Sequence, residues 1–359
     1  MAKLYDISRW SEQPWWNTGG TRNKKVYQNP EDGKIYYFKQ SFNKGKRNYK
    51  HEFWSEIVAS EIGALLGFDL LPYHIAIRKD TIGCISESMI DPASEELVEG
   101  GKYLQAFDST FDPEDVKQRH QYSFQLILDT IIHFGEEKYL GHIIDTILFD
   151  TVIGNSDRHQ ENWAIIHTHS PTSKSLSEME KALTEIEGKE DQVLTGLVGW
   201  LFKKIYFLKG KIRPQMKQVR LILAKETRFA PIYDSGCSFG RELNDSRVEE
   251  MIKSEEAINK YLDKGMAEIH WDGKKINHFH LLQKILEDQE FRTMLLESMD
   301  RILRNFNEKK IRDLIESVDN PLKEAGLPFT LPASRKELMI KLLTLRKGRI
   351  EDLYDRYRK

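Results

Sequence analysis

The sequence predicts a two-lobed α+β fold, with a small β-rich N-terminal lobe and a larger, mostly helical C-terminal lobe. Three observations predict it. Strand-like runs separated by turn residues fill the first ninety positions, helical periodicity dominates from residue 92 onward, and two apolar segments converge on the polar loop 154–162. The expected division is a lobe at 1–91 and a second at 92–359, the latter carrying an insertion at 168–228.

Taken in order, Gly19-Gly20-Thr21-Arg22 precedes Val26-Tyr27 and, through the turn Pro30-Glu31-Asp32-Gly33, leads into Ile35-Tyr36-Tyr37-Phe38-Lys39. This reads as a glycine loop within a strand pair that ends in a lysine. His51–Leu66 places Phe53, Ile57, Glu61 and Ala64 at helical spacing, with Gly67 as terminator. Tyr73–Lys79 and Cys84–Ile90 then form a hairpin around Asp80-Thr81-Ile82-Gly83, reaching a lobe connection near Glu87–Asp91. Helices are expected over 113–134, 136–152, 249–266 and 278–306. The tail from Ser334 starts with the capping-box pattern Ser-Arg-Lys-Glu and continues as a basic amphipathic helix suited to packing on its own lobe.

With 359 residues, 40% hydrophobic and 31% charged, the chain can bury a sizeable core and does not read as disordered. No apolar run approaches the roughly 20 residues a bilayer crossing needs, and the polar start lacks the apolar segment of a secretory signal. A cytoplasmic location is the default, with secretion by an unmarked route open. Cys84 and Cys237 sit in apolar contexts and read as small core residues rather than a disulfide. Net charge is −2, but residues 1–50 hold 11 Lys/Arg against 4 Asp/Glu, so that segment is +7 and the remainder −9. This basic end coincides with the glycine loop, which favours nucleotide phosphates over a nucleic-acid surface as its reason.

The loop Gly154-Asn155-Ser156-Asp157-Arg158-His159-Gln160-Glu161-Asn162 puts an Asp and an Asn five apart, the spacing of a kinase catalytic loop. Asp157 suits the group that receives the proton of an attacking hydroxyl, and Asn162 suits a metal ligand. Arg158 and His159 read as braces for the loop. Upstream, backbone N–H groups around Thr18, Gly19, Gly20, Thr21 and Arg22 would cover phosphates, and Lys39 would neutralise them. Downstream, Phe229-Ala230-Pro231-Ile232-Tyr233-Asp234-Ser235-Gly236 ends an apolar strand in a lone carboxylate, so Asp234 is the second candidate ligand for Mg²⁺. The adenine of ATP is expected at the connection near Glu87.

Three segments, ASEIG at 59–63, LFDTVIGNSDRHQENWAII at 148–166 and FAPIYDSG at 229–236, resemble the bacterial HipA-like kinases. The match runs in order over roughly 18–300 and is strongest at those motifs. It is similar to the short members, without the extra N-terminal subdomain. The resemblance implies ATP and Mg²⁺ as cofactors and serine or threonine on a protein as acceptor. It also implies an antitoxin or host protein as partner, and autophosphorylation of Thr18 or Thr21 that blocks nucleotide. The family pattern puts the acidic partner of Lys39 at Glu52, with Glu56 as runner-up. One departure is the 71 residues between Asn162 and Asp234, including a polar tract 168–177 and two helical stretches.

Two other functions compete. A phosphatidylinositol-type lipid kinase shares the loop pattern, although Ser235–Asn244 carries only Arg241 as a basic residue to face a membrane. A pseudokinase binding module would keep the fold without turnover, against which stand Lys39, Asp157, Asn162 and Asp234 together. His270, His278 and His280 near Asp272 lack the spacing of a zinc site and read as ordinary histidines.

Overall fold

A computed structural model describes residues 2–14, 24–41, 43–44, 47–112, 115–174 and 219–359. Residues 18–22 of the expected glycine loop, and the helical stretches expected within the insertion, lie outside the described residues. The chain packs into two compact units interleaved along the sequence. The first comprises 1–89, 141–159 and 231–359, and the second 90–140 and 160–230, so neither matches the consecutive division at residue 91.

The first unit opens with a six-stranded sheet in the order β1-β7-β8-β4-β3-β2. Its strands are β1 (Leu4–Asp6), β2 (Ser11–Glu12), β3 (Lys24–Gln28), β4 (Ile35–Lys39), β7 (His74–Arg78) and β8 (Thr81–Glu87). A separate two-stranded ribbon pairs β5 (Asn43–Lys44) with β6 (Arg47–Asn48). Successive side chains of a strand point to opposite faces. On one face Tyr36 and Phe38 of β4 join Ile7, Tyr27, Ala76 and Ile85 in a core, with Tyr5 and Trp10 packed against it. The other face therefore receives Lys39.

That face is met by α1 (Glu52–Leu66), which ends as expected at Gly67, in a left-handed conformation. Helix α4 (Leu140–Ile153) is mostly apolar and buries Ile143, Ile144, Ile147, Leu148, Phe149 and Val152 before delivering the polar loop. The second unit holds α2 (Gly100–Phe107), α3 (Phe124–His133) and a three-stranded sheet of β9 (Glu95–Glu99), β10 (Ala164–Lys174) and β11 (Val219–Phe229). Trp163 is buried there, stacked on Phe229 with an indole N–H donated to Tyr122 Oη at 3.1 Å. The polar tract expected at 168–177 is strand as far as Lys174.

The remaining helices belong to the first unit: α5 (Asp245–Met251), α6 (Glu255–Lys264), α7 (His278–Glu287), α8 (Gln289–Asn305), α9 (Glu308–Ser317), α10 (Asn320–Glu324) and α11 (Ala333–Tyr357). Three of the long helices expected from periodicity are broken. A side-chain cap starts a new helix in each case, Ser123 accepting from Leu126 N–H, Ser254 from Ala257 N–H and Asp288 from Glu290 N–H. The capping box expected at Ser334 does not form, because the helix begins one residue earlier behind Pro332. Helix α11 packs on α5 through α9, so its apolar stripe is core, as read. No helix among the described residues is long and apolar enough to cross a membrane.

Candidate active site

Lys39 leaves the end of β4 on the face covered by α1, where a charged side chain persists only if it is paired. Its ammonium donates to Glu56 Oε1 and, at 2.7 Å, to Asp234 Oδ1. Glu56 is fully buried and its second oxygen accepts from Ser235 N–H at 2.7 Å, which ties α1 to the chain just after Asp234. The acid against Lys39 is thus Glu56 and not the expected Glu52. The physical reason is position along the helix axis: Glu56 lies on the same face as Glu52 but one turn further along α1, at the level where β4 ends. Glu52 is instead 3.2 Å from Arg241, whose guanidinium sits 4.2 Å over the Tyr49 ring.

Asp234 adopts a left-handed backbone (φ 54°), uncommon for a residue with a Cβ. Its N–H lies 3.4 Å from Tyr73 Oη. Burial first, then the Glu56 carboxylate, pushes the Tyr73 phenol well above its ordinary range, so it stays neutral. Two residues on, Gly236 is required by close approach, since a Cβ there would come within 2.8 Å of Glu56 Oε1. Gly83 plays the same part on β8, where a Cβ would meet the Lys39 carbonyl oxygen at 2.3 Å. The two glycines allow backbone to close on the Lys39–Glu56 pair from both sides.

The polar loop is organised from Asp150, four residues before the end of α4's last turn at Gly154. Asp150 Oδ1 accepts from Asn155 Nδ2 and Arg158 Nη2, both at 2.9 Å, and Oδ2 accepts from Arg158 Nε at 2.9 Å. Arg158, 1% exposed, also donates to the Tyr233 carbonyl and to Ser235 Oγ. It braces the loop, as the sequence suggested, and binds it to the segment that carries Asp234. Two backbone bonds reinforce this: Ser156 N–H to Cys237 O (3.3 Å) and Phe239 N–H to Ile153 O (3.2 Å).

Asp157 is half-buried, its N–H held by Asn155 Oδ1 at 3.3 Å. Cys237 is buried, but it does more than fill the core. Its thiol donates to Asp157 Oδ2 at 3.0 Å, a contact the sequence reading missed. The signal available was position, three residues after Asp234. Cys84 and Cys237 are both free thiols. Asn162 is buried in the second unit, two residues before β10. Glu87 is exposed, its carboxylate 2.6 Å from Lys34, so its side chain is already paired. Thr18, Gly19, Gly20, Thr21 and Arg22 lie outside the described residues. His278 is buried with a ring pushed down to about 3, by burial and then by Arg346. Among the described residues no group of three His, Cys, Asp or Glu could hold a metal by itself.

Asp234 does not end a strand as expected, since β11 stops at Phe229 and only Ile232 makes an isolated bridge, to Leu70, before it; a buried strand lysine paired with a helix glutamate and an aspartate is nonetheless the ion pairing that kinases set against a nucleotide's phosphates. The whole-chain comparison agrees on the fold. No protein-family model matches the chain, and no curated protein sequence matches it. Among solved structures, it is similar to the crystal structure of a Helicobacter pylori proinflammatory kinase, CtkA, with a TM-score of 0.69 and 19% identity over 99% of this chain and 97% of that one. The HipA chain of a Shewanella oneidensis MR-1 toxin–antitoxin complex with HipB and operator DNA aligns at a TM-score of 0.40 and 13% identity. That alignment covers 90% of this chain and 60% of that one, and is too slight to carry an argument. The fold is therefore that of CtkA, an α+β kinase-like fold.

Proposed function

We propose that the protein is an ATP-dependent serine/threonine protein kinase of HipA-like type. The observation that supports it most is the buried Lys39, held between Glu56 and Asp234. An ion cluster of this kind costs desolvation and adds little stability, so a functional reason for it is strong.

Within this reading Lys39 neutralises the α/β phosphates, and Glu56 keeps its ammonium extended toward them. Asp157 receives the acceptor hydroxyl's proton at whichever carboxylate oxygen faces the substrate. The Cys237 thiol on Oδ2 orients that carboxylate. Arg158 fixes the loop, so that Asp157 does not have to be reorganised during transfer. Residues 18–22 cover the phosphates, and the chain near Glu87 receives the adenine. Asp234 is the proposed Mg²⁺ ligand, since a carboxylate is the hard donor the ion takes and the two lysines on it mark a place where positive charge is favoured, and the loop spacing proposes the amide oxygen of Asn162 as the second ligand. When bound, the metal with ATP supplies charge neutralisation on the transferred phosphoryl group.

The acceptor is serine or threonine on a protein, and an antitoxin or host protein is the expected partner. Thr18 or Thr21 is the proposed autophosphorylation site, where added negative charge would compete with ATP for the loop's N–H groups. The test is transfer of label from γ-³²P-ATP with Mg²⁺ to protein by purified wild type and Asp157→Asn. Transfer by the wild type alone supports the reading, and equal transfer by both ends it.

A further inference from the structure

Lys24, the first residue of β3, was not among the residues singled out by motif. In the antiparallel register of β3 and β4 it stands directly opposite Lys39, on the same face of the sheet. Two ammonium groups facing each other across a ladder repel, so the pair needs negative charge close by. The structure supplies it: Lys24 Nζ lies 3.4 Å from Asp234 Oδ2, while Lys39 holds Oδ1 at 2.7 Å. Both oxygens of the candidate metal ligand are therefore occupied by ammonium groups, and the charges of Lys24, Lys39, Glu56 and Asp234 sum to zero.

A divalent cation must come within about 2.0–2.1 Å of a carboxylate oxygen. An ammonium cannot keep its place on the same oxygen against the repulsion of the metal. The two lysines are not equally able to leave. The Lys39 side chain is 6% exposed and retains Glu56 if it loses Asp234, whereas the Lys24 side chain is 25% exposed and its longer contact is the weaker one. A flexible four-carbon stem at the border of the expected phosphate loop can swing from one anion to another.

We infer that Lys24 is the exchangeable counter-ion of the metal carboxylate. It occupies Asp234 Oδ2 in the nucleotide-free protein, and passes to a phosphate oxygen of the nucleotide when the cation takes that position. The inference rests on the kinase reading of Asp234. It predicts two effects of opposite sign in one variant, which a lysine that merely supports the fold does not produce.

The experiment measures Mn²⁺ binding to nucleotide-free protein by electron paramagnetic resonance, and Mg·ATP binding by calorimetry, for wild type, Lys24→Gln and Lys24→Arg. Lys24→Gln should bind Mn²⁺ about two- to fivefold tighter, the scale of removing a partly exposed competing ion pair. The same variant should bind Mg·ATP about tenfold or more weakly, as expected for losing a charge-assisted bond to phosphate. Lys24→Arg should stay near the wild type in both, and a common melting temperature excludes unfolding. If Lys24→Gln weakens both ligands or changes neither, the proposal is overturned; tighter Mn²⁺ with unchanged Mg·ATP overturns its phosphate half. A wild type that binds neither ligand defeats the kinase reading itself, a distinct result.

Discussion

Two of the buried ion clusters in the first unit flank the segment 233–235 and differ in character. In one, Arg158 spends its guanidinium on Asp150, the Tyr233 carbonyl and Ser235, all fixed acceptors of the protein. In the other, Lys39 and Lys24 share Asp234, and Lys39 also touches Glu56. The first is saturated by directed hydrogen bonds, so nothing is left for a ligand. The second consists of point charges on flexible stems around carboxylates, and such charges can be redistributed when a nucleotide and metal arrive. Burial alone does not mark a functional cluster. What marks it is whether its charges can be reassigned without leaving one of them buried and unpaired.

Removing the chemistry while leaving both clusters intact is the sharpest test, and has the largest expected effect. Asp157→Asn should lower phosphate transfer by about 10²- to 10⁴-fold, the range of general-base contributions, with a melting temperature close to that of the wild type. A comparable rate would mean that the loop's carboxylate is not where the proton goes.

Arg158→Met should separate the clusters by stability. Taking one partner from a buried pair leaves Asp150 uncompensated and costs about 3–5 kcal/mol, readable as a shift in denaturant midpoint. Lys39→Met should cost less stability and more turnover, because Asp234 retains Lys24 and Glu56 retains the Ser235 N–H. If Lys39→Met proves the more destabilising of the two, the contrast drawn above collapses.

Within α1, Glu56→Gln should lower transfer by about 10- to 100-fold, the worth of one charged hydrogen bond, while Glu52→Gln should change it only a few-fold. The reverse order would restore Glu52 as the partner of Lys39.

The smallest effect is one of pH, and it acts on the brace. His278 borders a small cavity lined also by Asp150, Asn155 and Arg158. Burial and Arg346 hold its ring down to about 3 from an ordinary 6.5. The unfolded chain therefore binds the proton more readily, and the stability contributed by the neutral ring is complete above about pH 6.5. It is lost as pH falls from there toward 3, at roughly 1.4 kcal/mol per pH unit. Urea titrations at pH 7, 6 and 5 should show the decline, and His278→Gln should flatten it. An unchanged slope in that variant would assign the acid sensitivity elsewhere, with His51, also held down to about 4, as the next candidate.

Much of the site was legible one residue at a time. Lys39 at a strand end, Asp234 before a glycine and the bracing role of Arg158 follow from spacing and local chemistry. The helix 52–66 and the hairpin of β7 and β8 follow from periodicity. The long helices were overdrawn because apolar spacing continues across Ser254 and Asp288, where a side-chain cap ends one helix and starts another. Glu56 carried a faint signal, an acid surrounded by Trp54, Ile57, Val58 and Ala59 with no polar neighbour but serine.

By itself the sequence determined the residue types, their order and the alternation that puts Lys39 on the face opposite Tyr36 and Phe38, because strand and helix periods are local properties of the backbone. Only the tertiary structure decided that Glu56 and not Glu52 meets Lys39, that the Cys237 thiol rests on Asp157, and that Lys24 and Lys39 divide the oxygens of Asp234. Those pairings span up to 210 positions in the chain, from Lys24 to Asp234. They depend on where α1 is placed along its axis against the sheet and how closely Gly83 and Gly236 let the backbones approach, and no local pattern encodes an offset or a distance between elements.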